Sequence, residues 1–544
     1  MIVKYPLCAF RLEDYFMRLP PGVSSTDFSA AMQYFEEVVG KEWVFTSDDD
    51  VDLYRDPYTP DWHEEGEKIP SAAVAPASVE EVQAVVKIAN QYKIPLWPVS
   101  TGKNLAYGGT SPALSGTAIL DLKRMDRVLE VNERNHYALV EPGVSYFDLY
   151  RYIQDHKLKV WIDPPDPGWG SPMGNTLDRG GGRTPMHEHF AAQCGMEVVL
   201  ANGELMRTGM GALPNSTTWQ QYKYGFGPYI DGMFSQSNFG VVTRMGVWLM
   251  PEPEAYLAET VLVPKHDDLV PLVDTLAHLK NLQILQSMIA LGSPLLFYRA
   301  GQGQSMLDVP GGPSVAEMDR LAQKKNLAYW SADLRFYGPP KVIAAQWEYA
   351  KEKLSSIPGA KFRDDVSYTF PLTPEQQAKV TNLPEIGIPS LSVFGILRNA
   401  SQGHIGFSPI IPMSGEAVFE MLKVFGQAYT DLGVEPKDQV FAFPTSYFSR
   451  CFVLLFIFLL QKNVEQNRKS RQVYKRLLEV AAEHGWGEYR THVDFMSDVM
   501  NVYSYNNHAL LRFHETVKDA IDPNGILAPG KSGIWPKHLR TASA

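Results

Sequence analysis

Residues 98–109 read PVSTGKNLAYGG, and what stands on either side of them decides the architecture. Ahead of them, SAAVAP (71–76) is an apolar run ended by Pro76, the pattern of a buried strand. Ser78-Val79-Glu80-Glu81 is a capping box, and Val79, Val82, Val85, Val86 and Ala89 then fall on one helical face that packs on the sheet. IPLWPVS (94–100) is the next short strand, and beyond the glycine loop the apolar run AILDL (118–122) is another. The loop therefore leads from strand to strand, whereas the dinucleotide fingerprint of a doubly wound fold opens a helix, so a nicotinamide-type Rossmann reading fails. Phosphates held here would lie on loop amides, a nest that binds anions without a helix dipole.

Three more glycine-rich stretches follow: Gly168 to Asn175 with Gly180, Gly181 and Gly182; YGFGPYIDGMFSQSNFGVVT (224–243); and DPNGILAPGKSG (522–533). Taken singly each reads as turns, because glycine is the commonest turn residue. Taken jointly they suit one long ligand threaded between distant segments. At Pro251-Glu252-Pro253-Glu254 the punctuation changes, and residues 256–486 alternate helical and strand patterns without such clusters, a second α+β unit. The expected division is 1–255 and 487–544 for a first domain and 256–486 for one inserted into it.

Bulk properties exclude several classes. A chain of 544 residues, 45% hydrophobic and 20% charged, has ample core for more than one domain. A net charge of −11 repels phosphate backbones, so nucleic acid is not an expected partner. Cys8, Cys194 and Cys451 are too few and too scattered for a disulfide framework or a thiolate metal site; no metal is expected. Arg11, Glu13 and Asp14 interrupt the apolar start too early for a secretory signal. The longest apolar run, Cys451 to Leu460, is about half of the ~20 residues that span a bilayer, so it reads as a buried strand or short helix and not as a membrane segment. The C-terminal TASA is no lipidation or peroxisomal address, which leaves a cytoplasmic location by elimination.

PVSTGKNLAYGG, IDPPDPGWGSPMGNTLDRG (162–180), GMEVVLANGELMRTGMGALP (195–214), the 224–243 stretch, GHIGFSPI (403–410), HGWGEYRTH (484–492) and IDPNGILAPGKSGIWP (521–536) together resemble the vanillyl alcohol oxidase and 4-cresol dehydrogenase family of flavoproteins, on its vanillyl alcohol and eugenol oxidase side. The resemblance spans residues 20–540 or so. It implies an α+β, two-subdomain FAD-binding fold, discontinuous in sequence, with an α+β cap domain. It also implies FAD contacts from Ser100, Thr101, Gly102, Lys103 and Asn104, from Gly170, Ser171, Gly174 and Asn175, from Ser235, Ser237, Asn238, Gly240 and Val242, and from Lys531.

His404, by itself an ordinary histidine among apolar residues, becomes through this resemblance the residue bonded to the 8α-methyl of FAD. A neutral imidazole is the nucleophile in such a bond. A second histidine of the family assists it; here the corresponding stretch YRDPYTPDWHEE offers His63. Tyr107, Tyr489 and Arg490 match the residues that bind the phenol oxygen. Hydride loss from the para carbon of a phenol, whose pKa is about 10, is easy only when that oxygen is negative, and two phenolic donors with a permanently charged arginine favour it. In a regular strand Tyr489 and Arg490 would point to opposite faces; Gly485 and Gly487 supply the irregular backbone that lets both meet one pocket. Asp166, otherwise a turn residue between prolines, matches the acid beside flavin N5 that assists hydride transfer and then acts as base towards water; Asp163 is set aside.

Two departures stand out. Arg183, in GRTP, replaces a tyrosine of the family's pocket, and either suits an acidic para substituent or pairs with Glu188. The run SRCFVLLFIFLLQKNVEQN (449–467) is longer and more apolar than its family counterpart; a native segment here forms a buried strand and a loop, and a translated intron is the other explanation. The implied activity is oxidation of a para-substituted phenol through a quinone methide, with dioxygen as acceptor and hydrogen peroxide as product, in a homodimer or dimer-based assembly. The alternatives are a dehydrogenase with a cytochrome acceptor, a subgroup that tethers its flavin through tyrosine, and a flavin-binding protein without phenol turnover.

Overall fold

The computed structural model describes residues 18–295, 314–392, 403–434 and 443–540. The strand-helix-strand opening is present: Ala73–Val74, the helix Val79–Tyr92, Leu96–Val99 and Ala118–Asp121. Val79, Val82, Val85, Val86 and Ala89 are the buried face of that helix. Its cap differs in one half. The Ser78 hydroxyl accepts from Glu81 N–H, but the Glu81 carboxylate turns to Ala77 N–H, 2.7 Å away, and not to the Ser78 amide. Ala118–Asp121 lies between Ala73–Val74 and Leu96–Val99, parallel to both, with Val44–Phe45 antiparallel at one edge. On the other edge Leu527 pairs with Leu96, so the end of the chain returns to the sheet that its beginning built.

A second sheet, antiparallel, is ordered Val128–Asn132, Tyr137–Val140, Val241–Trp248, Gln193–Val199, Leu205–Arg207. The 170s and 235–243 stretches meet beside it. The middle of the chain forms two further antiparallel sheets. One is built on Ala255–Val263, flanked by Trp330–Gly338 and Lys361–Thr369; the other on Cys451–Leu460. A single core joins these two, from Val261 through Phe407 and Phe456 to Tyr474 and Trp486.

Cys451–Leu460 is a strand and not a helix, because its ten residues carry partners along both edges: Gly403–Phe407 and Ile410–Pro412 on one and Phe443–Phe448 on the other. Phe452, Leu454, Phe456, Phe458 and Leu460 point into the core, while Ile457 and Leu459 stand on the opposite face, 40% and 45% exposed. No described helix is long and apolar enough to cross a membrane. Cys194 is buried and Cys451 partly so; Cys8 lies outside the described residues.

Candidate active site

Between the first two sheets and the Cys451–Leu460 sheet lies a cavity of about 470 Å³. Its walls bring together Ser100, Thr101, Gly102, Lys103 and Asn104, Gly170, Ser171, Gly174 and Asn175, Ser237, Asn238, Gly240 and Val242, with Lys531, His404, Tyr107, Asp166, Tyr489 and Arg490. Two residues proposed from sequence stand apart. Ser235 lines the adjoining cavity of about 380 Å³ and accepts from Arg179 Nε at 3.1 Å. Arg183 sits behind Asp166 and pairs with it, not with Glu188.

His404 reaches the cavity by strand alternation. Ile405 and Phe407 are fully buried in the core, so His404 and Gly406 face the other way, opposite Leu459 and Ile457. Gly406 lies against Tyr107: a Cβ there would stand 3.4 Å from the Tyr107 hydroxyl, an ordinary contact. Burial depresses the His404 pKa, and Asp56 opposes that shift without cancelling it, which favours the neutral ring.

Asp56 has a second partner that sequence reasoning missed. His492 Nε2 lies 2.8 Å from its Oδ2, and His492 Nδ1 accepts from the Asp494 amide, so the hydrogen resides on Nε2 and is donated to Asp56. The His63 amide, meanwhile, donates to Glu67. His492 closes the HGWGEYRTH motif; nothing in spacing ties it to Asp56, 436 positions away.

Tyr489 and Arg490 converge for the reason their glycines suggested. The segment is not a regular strand: Gly485 has φ +74°, Glu488 forms an isolated bridge with Pro409, and Ile410 N–H donates to Gly487 O. Glu488 points away from the cavity into the core, while its two successors line it. The Arg490 guanidinium lies 4.0 Å above the Tyr107 ring, donates to Asn104 Oδ1 at 2.6 Å and stands 3.7 Å from Asp178. Burial alone would weaken its hold on the proton, but Tyr107, Asp178 and Tyr489 outweigh it and the pKa ends raised. Asp178, also unforeseen, accepts from Lys531 at 2.9 Å. Burial works to raise its pKa, but Lys531, Arg490 and Arg179 prevail and hold it below the usual carboxylate range.

Asp163, set aside from sequence, anchors the pocket. Its Oδ1 accepts from Arg183 and Thr184 amides at 2.9 and 2.7 Å, and its Oδ2 lies 2.8 Å from His189 Nε2. A glycine is required at 182, since a Cβ there would meet the Asp163 carboxylate at 1.9 Å.

FAD fits this donor set: loop amides at 100–104, the lysines Lys103 and Lys531, and two buried cavity atoms, Ser408 Oγ and Arg490 Nε, that no described protein group satisfies. A fixed cation beside two tyrosines is suited to stabilise an oxyanion.

Comparisons agree with this reading of the cofactor. Residues 70–209 match the FAD binding domain, and residues 402–532 the C-terminal domain of FAD-linked oxidases. The chain is 33% identical over 524 residues to the flavoprotein subunit of 4-cresol dehydrogenase (hydroxylating) from Pseudomonas putida, covering 95% of this chain and 97% of that one. A 186-residue stretch, 34% of each chain, is 44% identical to 1'-carboxy-chondrochloren decarboxylase from Chondromyces crocatus. Among solved structures, 4-ethylphenol oxidase from Gulosibacter chungangensis, in complex with isoeugenol, superposes with TM-score 0.82 at 35% identity over 96% of this chain and all of that one. Substrate-bound p-cresol methylhydroxylase gives TM-score 0.84 at 32% identity, over 95% and 99%.

Proposed function

This chain belongs to the vanillyl alcohol oxidase and p-cresol methylhydroxylase family of FAD-binding flavoenzymes, and from that premise we propose that it is an oxidase of para-substituted phenols carrying its FAD on His404. Bound FAD supplies the redox chemistry, accepting a hydride from the benzylic carbon and passing the electrons to dioxygen to give hydrogen peroxide.

The protein supplies position and charge. The observation that carries the proposal is the buried Arg490, held charged and set 4.0 Å over Tyr107 in the cofactor cavity. Tyr107, Tyr489 and Arg490 receive the phenol oxygen and favour its anion, which makes the benzylic hydride mobile. Asp166 takes the proton of the water that adds to the resulting quinone methide while the ring regains its aromaticity. The 100–104 loop, Gly170 to Asn175, Ser237 to Val242 and Lys531 hold the FAD. A neutral His404 supplies the nitrogen of the tether, and Asp56, held by His492, is the charge that acts on it. Phenolic substrates are in keeping with the 4-cresol and 4-ethylphenol in the relatives' names, and dioxygen as acceptor with a histidine at 404. We place the working form as a homodimer.

A second reading gives Arg183 a carboxyl group of the substrate to bind; the relative named for a 1'-carboxy compound speaks for it.

The test is acid precipitation of the purified holoenzyme followed by aerobic assay with vanillyl alcohol and 4-alkylphenols. Yellow flavin in the pellet, lost in His404→Ala, together with peroxide formation supports the proposal. Flavin released from wild type removes the tether, and turnover only with an added one-electron acceptor makes the enzyme a dehydrogenase.

A further inference from the structure

The arginine at 183 is built into place from three sides. Asp163 holds its amide, the Tyr337 hydroxyl reaches its carbonyl at 3.5 Å from the cap, and Nε and Nη2 both donate to Asp166 Oδ2, at 3.0 and 2.7 Å. Nη1 lies 3.8 Å from Met288 Sδ. The two donors converge on one carboxylate oxygen, Oδ2, of a residue that lines the cavity. The side chains of Arg183 and Asp166 are 27% and 14% exposed, so the pair is sheltered enough to matter electrostatically.

We propose that Arg183 is a positioning residue for Asp166: it neutralises the cavity carboxylate and fixes one of its oxygens, so that this end of the site is charge-balanced and takes phenols with uncharged para substituents. The proposal rests on the phenol-binding function argued above. It gives the arginine a different task from reception of a substrate carboxylate, for which its charge would have to be shared with Asp166. A tyrosine at 183 would leave the Asp166 carboxylate without this cation, whereas the arginine compensates its charge and fixes the oxygen it binds, which holds the carboxylate in place towards the water that adds.

The experiment compares two ligands that have no benzylic hydrogen, 4-hydroxybenzamide and 4-hydroxybenzoate, near-isosteres differing by one charge. Their Kd values are read from perturbation of the flavin spectrum of the holoenzyme, without turnover. Wild type prefers the amide. Asp166→Asn removes the carboxylate that pairs with Arg183 and shifts the preference towards the benzoate by about fivefold, the upper range for a part-exposed ion pair. Arg183→Gln shifts it the opposite way by a similar factor, and Arg183→Lys restores part of the wild-type ratio. Should Arg183→Gln not fold, the Asp166→Asn and Arg183→Lys arms decide alone. An amide-to-benzoate ratio that no variant changes overturns the proposal, and a wild type that prefers the benzoate makes Arg183 a carboxylate receptor instead. If neither ligand perturbs wild-type flavin, it is the phenol-binding reading that fails.

Discussion

Glu488 shows how a residue with no contact to substrate can shape the site. Its carboxyl accepts from the Tyr474 hydroxyl at 2.6 Å and the Ser408 amide at 3.2 Å, and Tyr474 is stacked on Phe495. Burial pushes its pKa up to about 8 despite those two donors. The folded state thus holds this proton more tightly than the unfolded chain, whose value is 4.5. The resulting stability is complete below about pH 4.5 and lost as pH rises through about 8. Glu488→Gln should therefore flatten the fall in Tm between pH 5 and 8, measured by calorimetry; an unchanged slope excludes the assignment. That Tyr107, Asp166, His404, Tyr489 and Arg490 meet in one cavity was legible because each sits in an idiosyncratic motif. Asp178, Asp56 and His492 were not, since what distinguishes them is a partner hundreds of positions away, as with the 386 positions between Arg490 and Asn104.

The element that carries His404 is the Gly403–Phe407 strand on its partner Cys451–Leu460. Alternation divides the latter into a core face and a cavity face, and the two should respond differently to truncation. Phe456→Ala, from a position 2% exposed, is expected to cost about 3–5 kcal/mol. Ile457→Ala, 40% exposed and lining the cavity, should cost less than about 1 kcal/mol and alter flavin or phenol affinity instead. Denaturant midpoints and spectral titration of the two variants separate these effects; equal losses of stability would contradict the two-faced reading. The uniform apolarity of this run hid the alternation. Its cavity side is apolar too, so strand and short helix looked alike until pairing on both edges decided between them. The opening units were plainer, for Val79 to Ala89 show a helical period and 118–121 is a short apolar run bounded by turn residues.

At the scale of the molecule the site is a junction. Asn104, Asp178, Arg490 and Lys531 meet through Arg490–Asn104, Arg490–Asp178 and Lys531–Asp178 contacts, and Leu96 pairs with Leu527. A cofactor lying across that junction stabilises all the parts it touches. In His404→Ala the FAD would be exchangeable, so Tm should rise with added FAD, by about 2.7 kcal/mol of stability at a hundredfold excess over Kd. Tethered wild type should show no such dependence in differential scanning calorimetry; a parallel dependence would mean that His404 carries no covalent bond. What the sequence by itself determined was the class of fold and most of the residues that line the cavity, because turn glycines, amphipathic periods and long local motifs are properties of neighbouring residues. Only the tertiary structure decided that Arg183 belongs to Asp166, that His492 is bonded to Asp56, and that Ser235 faces the adjoining cavity. Those are matters of which charges meet once distant segments are packed, and an ion pair leaves no trace in the spacing of its members.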